Sequence, residues 1–179
     1  MAEQVQTDDA PPTTSKHGKD AGVARAVTIN RPAADVYAQF RDFANLPAFM
    51  ENVVRIDVLD DKRSHWVVKA PAGKTVEWDA RVTDEQPGKL IAWTSEEGAD
   101  VPNSGRVEFR DAGARGTVVT ATIAYDPPAG IVGKIVAKMF QREPAIQARR
   151  DLRRFKQLLE TGEIATAAMN PAQHQKEDN

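Results

Sequence analysis

Apolar positions change their spacing twice along this chain. From residue 23 they alternate: Val23, Val27 and Ile29 fall on one face of a first predicted strand, with Arg25 among them. Pro32 then marks a helix entry, with Asn30 as its expected cap. Val36, Tyr37, Phe40 and Phe43 follow at helical spacing, and Pro47 is expected to end that region.

The period then returns to two. Val54, Ile56 and Val58 form one face of a strand that turns at Asp60, Asp61 and Lys62. Trp66, Val68 and Ala70 face one way on the next strand, with His65 and Lys69 opposite. Val76, Trp78, Ala80 and Val82 alternate with Glu77, Asp79 and Arg81. Ile91 and Trp93 belong to a further strand, and a polar loop joins Ser95 to Asn103. Val107 and Phe109, then Val119, Ala121, Ile123 and Tyr125, mark the last two strands. Short strands at hairpin spacing, each with one apolar face, predict an antiparallel meander with one wet side.

Residues 129–160 read as one long helix with a phase change. Val132, Ile135, Val136, Met139 and Phe140 share one arc, whereas Ala148, Leu152, Phe155 and Leu159 share another. At about 100° per residue the two arcs lie roughly half a turn apart. Pro144 has no N–H for the carbonyl of Phe140, so a kink or break is expected at residues 141–144. The fold class is therefore α+β: a sheet of about seven antiparallel strands around a long, kinked C-terminal helix, with two short helices after the first strand. That arrangement leaves space between sheet and helix.

Composition sets the limits. The 179 residues suit one domain, expected over residues 23–162, between a polar N-terminal tail (1–22) and a flexible C-terminal tail (163–179). Cysteine is absent, which excludes disulfides, thiol catalysis and thiolate metal sites. A net charge of −2 gives no general attraction to nucleic acid. The N-terminus has no signal-peptide pattern and no stretch approaches the ~20 apolar residues of a membrane span. A cytoplasmic location is expected.

The residues Ile29, Pro32, Val36, Tyr37, Asp42, Pro47 and Phe49, followed by the strands, resemble the START-like superfamily. That group includes polyketide cyclase/dehydrases and coenzyme Q-binding proteins and is also known as SRPBCC or helix-grip. The resemblance runs from Val23 to Leu159 and rests mostly on the order of elements. It implies the helix-grip fold and a hydrophobic ligand held between sheet and final helix. Some such proteins are aromatase/cyclases, and others carry lipids or quinones.

The candidate chemistry is sparse. Trp66, Trp78, Trp93, Val107, Phe109 and Tyr125 share the inward parity, and Ile135, Met139 and Phe140 would face them from the helix. As a set they describe an aromatic-lined cavity for a hydrophobic small molecule, although aromatic residues also dominate ordinary cores. Polar groups suited to catalysis there are few: Tyr125, Arg25 and Glu51, with Tyr37 beside them. The inward faces are apolar, which favours binding over a cyclase or dehydratase reaction. Residues 130–140, with Lys134 and Lys138, form a basic amphipathic segment that could touch a membrane surface. Its Gly130 to Lys134 run lacks phosphate-loop spacing. Arg149, Arg150, Arg153 and Arg154 read as a solvated face paired with Glu143, Asp151 or Glu160, or less readily as an anion site. His17, His65 and His174 have no metal-ligand spacing, so neither metal nor cofactor is expected. Ligand entry is expected near Pro144 or through the loop between Ser95 and Asn103.

Overall fold

The structure, a computed structural model, describes residues 23–125 and 144–164. Seven strands form one antiparallel sheet: β1 (Val23–Ile29), β2 (Val53–Val58), β3 (Arg63–Lys69), β4 (Thr75–Gln86), β5 (Leu90–Ser95), β6 (Asn103–Asp111) and β7 (Thr117–Tyr125). Their order is β1-β7-β6-β5-β4-β3-β2, so each strand from β3 to β7 lies beside its predecessor, β1 joins at β7, and β1 and β2 are the two edges. A helix, α1 (Ala33–Arg41), and a 3₁₀ segment (Phe43–Ala48) bridge β1 to β2. A second helix, α2 (Pro144–Thr161), packs across β1. This is the expected α+β helix-grip arrangement.

Alternation places the core. Val76, Trp78, Ala80 and Val82 are all buried on one face of β4, as their spacing predicts. Two β-bulges alter the simple parity. One lies in β2, where Val53 pairs with Val68 and Arg55 with Val67. The extra residue turns Val53 toward the core and leaves Val54 outside, 47% exposed. Val58, at the end of this edge strand, is also out, so of the expected face only Ile56 is buried. The other bulge lies between Val82 and Asp84, and it pairs Glu85 with fully buried Ile91. Glu85 is thereby brought to the inner side, where it meets α1. Tyr37 Oη donates to Glu85 Oε1, and Arg41 Nε reaches the same oxygen at 2.6 Å.

The helix entries differ from expectation in detail. Asn30 does not cap α1: Pro32 takes that position with no side-chain cap, and the Asn30 backbone N–H goes to Glu160 Oε1 at 2.7 Å. Pro47 lies inside the 3₁₀ segment rather than ending it.

The end of α2 is fastened to the end of β1. Lys156 Nζ donates to Thr28 O (2.7 Å) and to Glu160 Oε1 (2.7 Å), and Arg31 Nε donates to Leu159 O (2.9 Å). Leu152 and Phe155 present the buried face of α2, with Leu159 packed against the same cluster. Phe155 lies 4.5 Å from Phe49 and 5.7 Å from Phe40, and Phe40 meets Phe109 edge-on at 6.0 Å. Interlocked rings fill this end of the sheet. Ile164, expected in the C-terminal tail, packs against the same core. The first arc of the predicted long helix, the expected break at residues 141–144 and residues 1–22 lie outside the described residues.

Candidate functional site

Beyond the aromatic plug, α2 and the sheet separate. Ala148, Asp151 and Leu152 of α2 face β3 to β7 across a cavity of about 320 Å³. Its size falls within the usual range for small-molecule sites. The floor comes from strand parity: Trp66, Val68, Trp78, Ala80, Val82, Trp93, Val107, Ala121 and Ile123 all reach it. Phe43, Leu46, Phe49 and Met50 close one side.

Three indoles set the wall's character. Trp66 and Trp78 are register partners on β3 and β4. Trp66 Nε1 donates to Ser64 Oγ at 2.9 Å, and Trp93 Nε1 donates to Asn103 Oδ1 at 3.3 Å. Asn103 is itself held by Val101 O at 2.8 Å. These indole N–H groups are satisfied within the wall, so the faces of the rings are what a ligand would meet.

One pole is polar. Tyr125, Asp151, Gln147 and Arg150 line it. Gln147 Nε2 donates to Asp151 Oδ1 at 2.9 Å, and the Glu51 backbone N–H points to the same oxygen at 3.4 Å. Burial pushes the Asp151 carboxyl up to about 6, against the pull of those two bonds and of Arg154. Burial, helped by the negative charge of Asp151, pushes the Tyr125 phenol up to about 12. Tyr125 therefore keeps its proton at neutral pH, whereas Asp151 titrates close to it.

Of the residues expected on the wall, Trp66, Trp78, Trp93, Val107 and Tyr125 line the cavity. Phe109 does not. It is packed between Tyr37 and Phe40, because α1 covers that end of β6. Ile135, Met139 and Phe140, with the basic segment 130–140, lie outside the described residues. Of the catalytic candidates, only Tyr125 is in the cavity. Arg25 shares the inward register of Ala121 but is exposed, and its guanidinium bonds Ala24 O. The Glu51 side chain is also exposed and lies 3.9 Å from Arg154, so it contributes only its backbone. Asp151 forms no ion pair with the arginine row among the described residues, although the charge of Arg154 acts on its carboxyl. It turns into the cavity while Arg149 and Arg153 remain exposed.

The loop between β5 and β6 is less polar than its composition suggests. Val101 is fully buried against Val76 and Trp78. Asp100 exchanges two bonds with the Glu77 backbone, through its N–H to Glu77 O (3.1 Å) and through Oδ2 from Glu77 N–H (2.9 Å). That stitching ties the loop to β4. Among the described residues, no cluster of His, Asp or Glu is arranged to hold a metal ion. No described helix is long and apolar enough to cross a membrane.

The pattern of the family described as polyketide cyclase/dehydrase and lipid transport matches residues 29–153. A 17.2 kDa protein of Streptomyces lincolnensis is 30% identical over 139 residues, covering 77% of this chain and 89% of its own. A crystal structure from Deinococcus radiodurans shares 44% identity at a TM-score of 0.65, covering 80% of this chain and 100% of that one. An aromatase/cyclase from a Streptomyces species aligns at a TM-score of 0.64, over 82% of this chain and 100% of its own. Its identity is 17%, so that likeness speaks for the fold alone.

Proposed function

This chain belongs to the polyketide cyclase/dehydrase and lipid transport family, and on that footing we propose that it binds and carries a hydrophobic small molecule between the sheet and α2. A lipid, a quinone or a polyketide-like compound is the class that fits. One observation carries the reading: a cavity of about 320 Å³ walled mostly by indole and aliphatic side chains, with Tyr125, Gln147, Arg150 and Asp151 gathered at one pole. Apolar burial, at roughly 25 cal/mol per Å², supplies affinity, and the pole supplies orientation. The cavity's size favours a molecule of two or three fused rings or a short chain. Because the β5–β6 loop is stitched to β4, entry belongs to the N-terminal end of α2, where Ile146 is exposed.

The experiment is native mass spectrometry of the gently purified chain, followed by organic extraction. A stoichiometric apolar molecule supports the carrier reading and identifies its class. A bare protein from several expression hosts that also fails to take up apolar probes overturns it.

A second reading rests on Tyr125 and Asp151. A phenol that keeps its proton can donate to a carbonyl oxygen, while a carboxylate titrating near neutrality can accept the proton from the adjacent carbon. That pairing suits a cyclase or dehydratase acting on a polyketone. Turnover of a poly-β-keto thioester, lost in Asp151→Asn, would support it. No turnover by a variant-sensitive route would leave carriage alone.

A further inference from the structure

Asp151 divides its two oxygens. Oδ1 takes both protein hydrogen bonds, from Gln147 and from the Glu51 backbone. Oδ2 takes none from any described residue, while the residue lines the cavity. Asp151 is partly buried and borders the cavity, so a ligand in that cavity can supply a hydrogen to the oxygen the protein leaves open. The charged groups around Asp151 are few, and Arg81 of β4, which also lines the cavity, is exposed to solvent. Tyr125 faces it from β7, and Glu51 approaches from the turn before β2, where Lys69 of β3 bonds the Glu51 carbonyl. Arg150 and Arg154 flank it on α2 itself. Arg154 is drawn toward Glu51, and Arg150 is exposed to solvent, which weakens its hold on anything bound inside.

We infer that Asp151 selects the head group of the bound molecule, with Oδ2 accepting the hydrogen of an uncharged hydroxyl while the carboxylate turns away ligands that carry a carboxylate of their own. This rests on the carrier reading and narrows it: the cargo is a neutral phenol or alcohol, and fatty-acid anions are excluded at neutral pH. Two carboxylates at contact distance in a partly desolvated site repel strongly. The repulsion is relieved when Asp151 is protonated, because the neutral carboxyl can donate to the ligand instead.

The test uses the full chain and two fluorescent probes of one shape, 2-anthracenemethanol and anthracene-2-carboxylate. Binding is measured at pH 8 and pH 5, and the acid probe remains ionised at both. At pH 8 the wild type should hold the alcohol at least about tenfold more tightly than the acid, which corresponds to about 1.4 kcal/mol. At pH 5 the ratio should fall toward one. Asp151→Asn should bring it toward one at both values. Equal binding of the two probes by wild type at pH 8, or a preference that persists at pH 5, overturns the role of Asp151. Failure of both probes to bind overturns the cavity reading itself, so the two failures are separable. The wild-type pH comparison needs no variant, so it stands even if Asp151→Asn folds poorly.

Discussion

Trp66 and Trp78 lie across the β3–β4 pair with their ring planes 8° apart and their centroids 6.3 Å apart. The parallel setting follows from register: the two residues are direct partners on one face of an antiparallel ladder. Both rings line the cavity, so together they offer an apolar wall to a bound molecule. Trp78→Ala removes half of that wall. Folding stability should fall by about 3 kcal/mol, the lower end for a buried aromatic, because one side of the ring already borders the cavity. Urea denaturation reads that loss, and uptake of 2-anthracenemethanol should weaken in variant protein that remains folded. Undiminished uptake would place the ligand elsewhere.

Glu85 predicts a different signature. Burial alone would raise its carboxyl, yet the hydrogen bonds from Tyr37 and Arg41 hold it below the ordinary 4.5. A depressed carboxyl adds stability that is complete above its unfolded value and is lost as pH falls through the folded one. Both side chains of the Arg41–Glu85 pair keep about a quarter of their surface in solvent, which screens the pair and keeps its contribution modest. Glu85→Gln should cost about 1 kcal/mol at pH 7 and less at pH 3, as protonation of wild-type Glu85 below its ordinary 4.5 begins to remove the same charge. Urea melts at the two pH values check it, and a gap of equal size at both would assign the loss to packing rather than charge.

Much of this fold is legible as spacing. Val76, Trp78, Ala80 and Val82 alternate so cleanly that the buried face of β4 follows from their order alone. What spacing cannot show is a bulge. The extra residues at Val54 and next to Asp84 break no local rule, yet one expels Val54 and the other delivers Glu85 to Tyr37. Phe109 has cavity parity, and only the packing of α1 over β6 removes it from the wall. Asp151 was hidden for another reason: an acid inside an arginine run reads as a counter-ion. The signal was present in the helix phase. Asp151 stands three residues after Ala148 and four before Phe155, which puts it on the buried arc rather than among the arginines.

Gly105 tests how closely the wall is built. It pairs with Trp93 on β5, and the indole lies directly over it. A Cβ there would sit 2.6 Å from a Trp93 ring carbon and 2.6 Å from the Thr122 carbonyl oxygen. The ring would have to shift, and the backbone oxygen cannot move without disturbing the β6–β7 ladder. Gly105→Ala should cost about 2 kcal/mol, as overpacking does, and should shift the tryptophan emission. Native stability with unchanged emission would show that the ring has room this geometry denies it.

Asp151 should also leave its mark on stability. Its carboxyl is raised to about 6 in the folded chain by burial, against an ordinary value of 3.8. The folded state therefore holds this proton over a pH range in which the unfolded chain has released it. Stability then falls as pH rises from about 4 to about 6, because the unfolded state binds fewer protons there. Above the folded value the full cost of burying the charge is present, about 3 kcal/mol by linkage. Below the unfolded value the carboxyl is neutral in both states and the cost is absent. Asp151→Asn, which keeps the shape and the hydrogen-bonding capacity, removes this penalty at pH 8 and changes little at pH 4. The variant should therefore be more stable than wild type at pH 8, by up to that amount, and similar to it at pH 4. Chemical denaturation across this range gives the slope directly. A wild-type and variant pair whose stabilities run parallel from pH 4 to pH 8 would mean that Asp151 is solvated, and that the polar pole of the cavity opens to water.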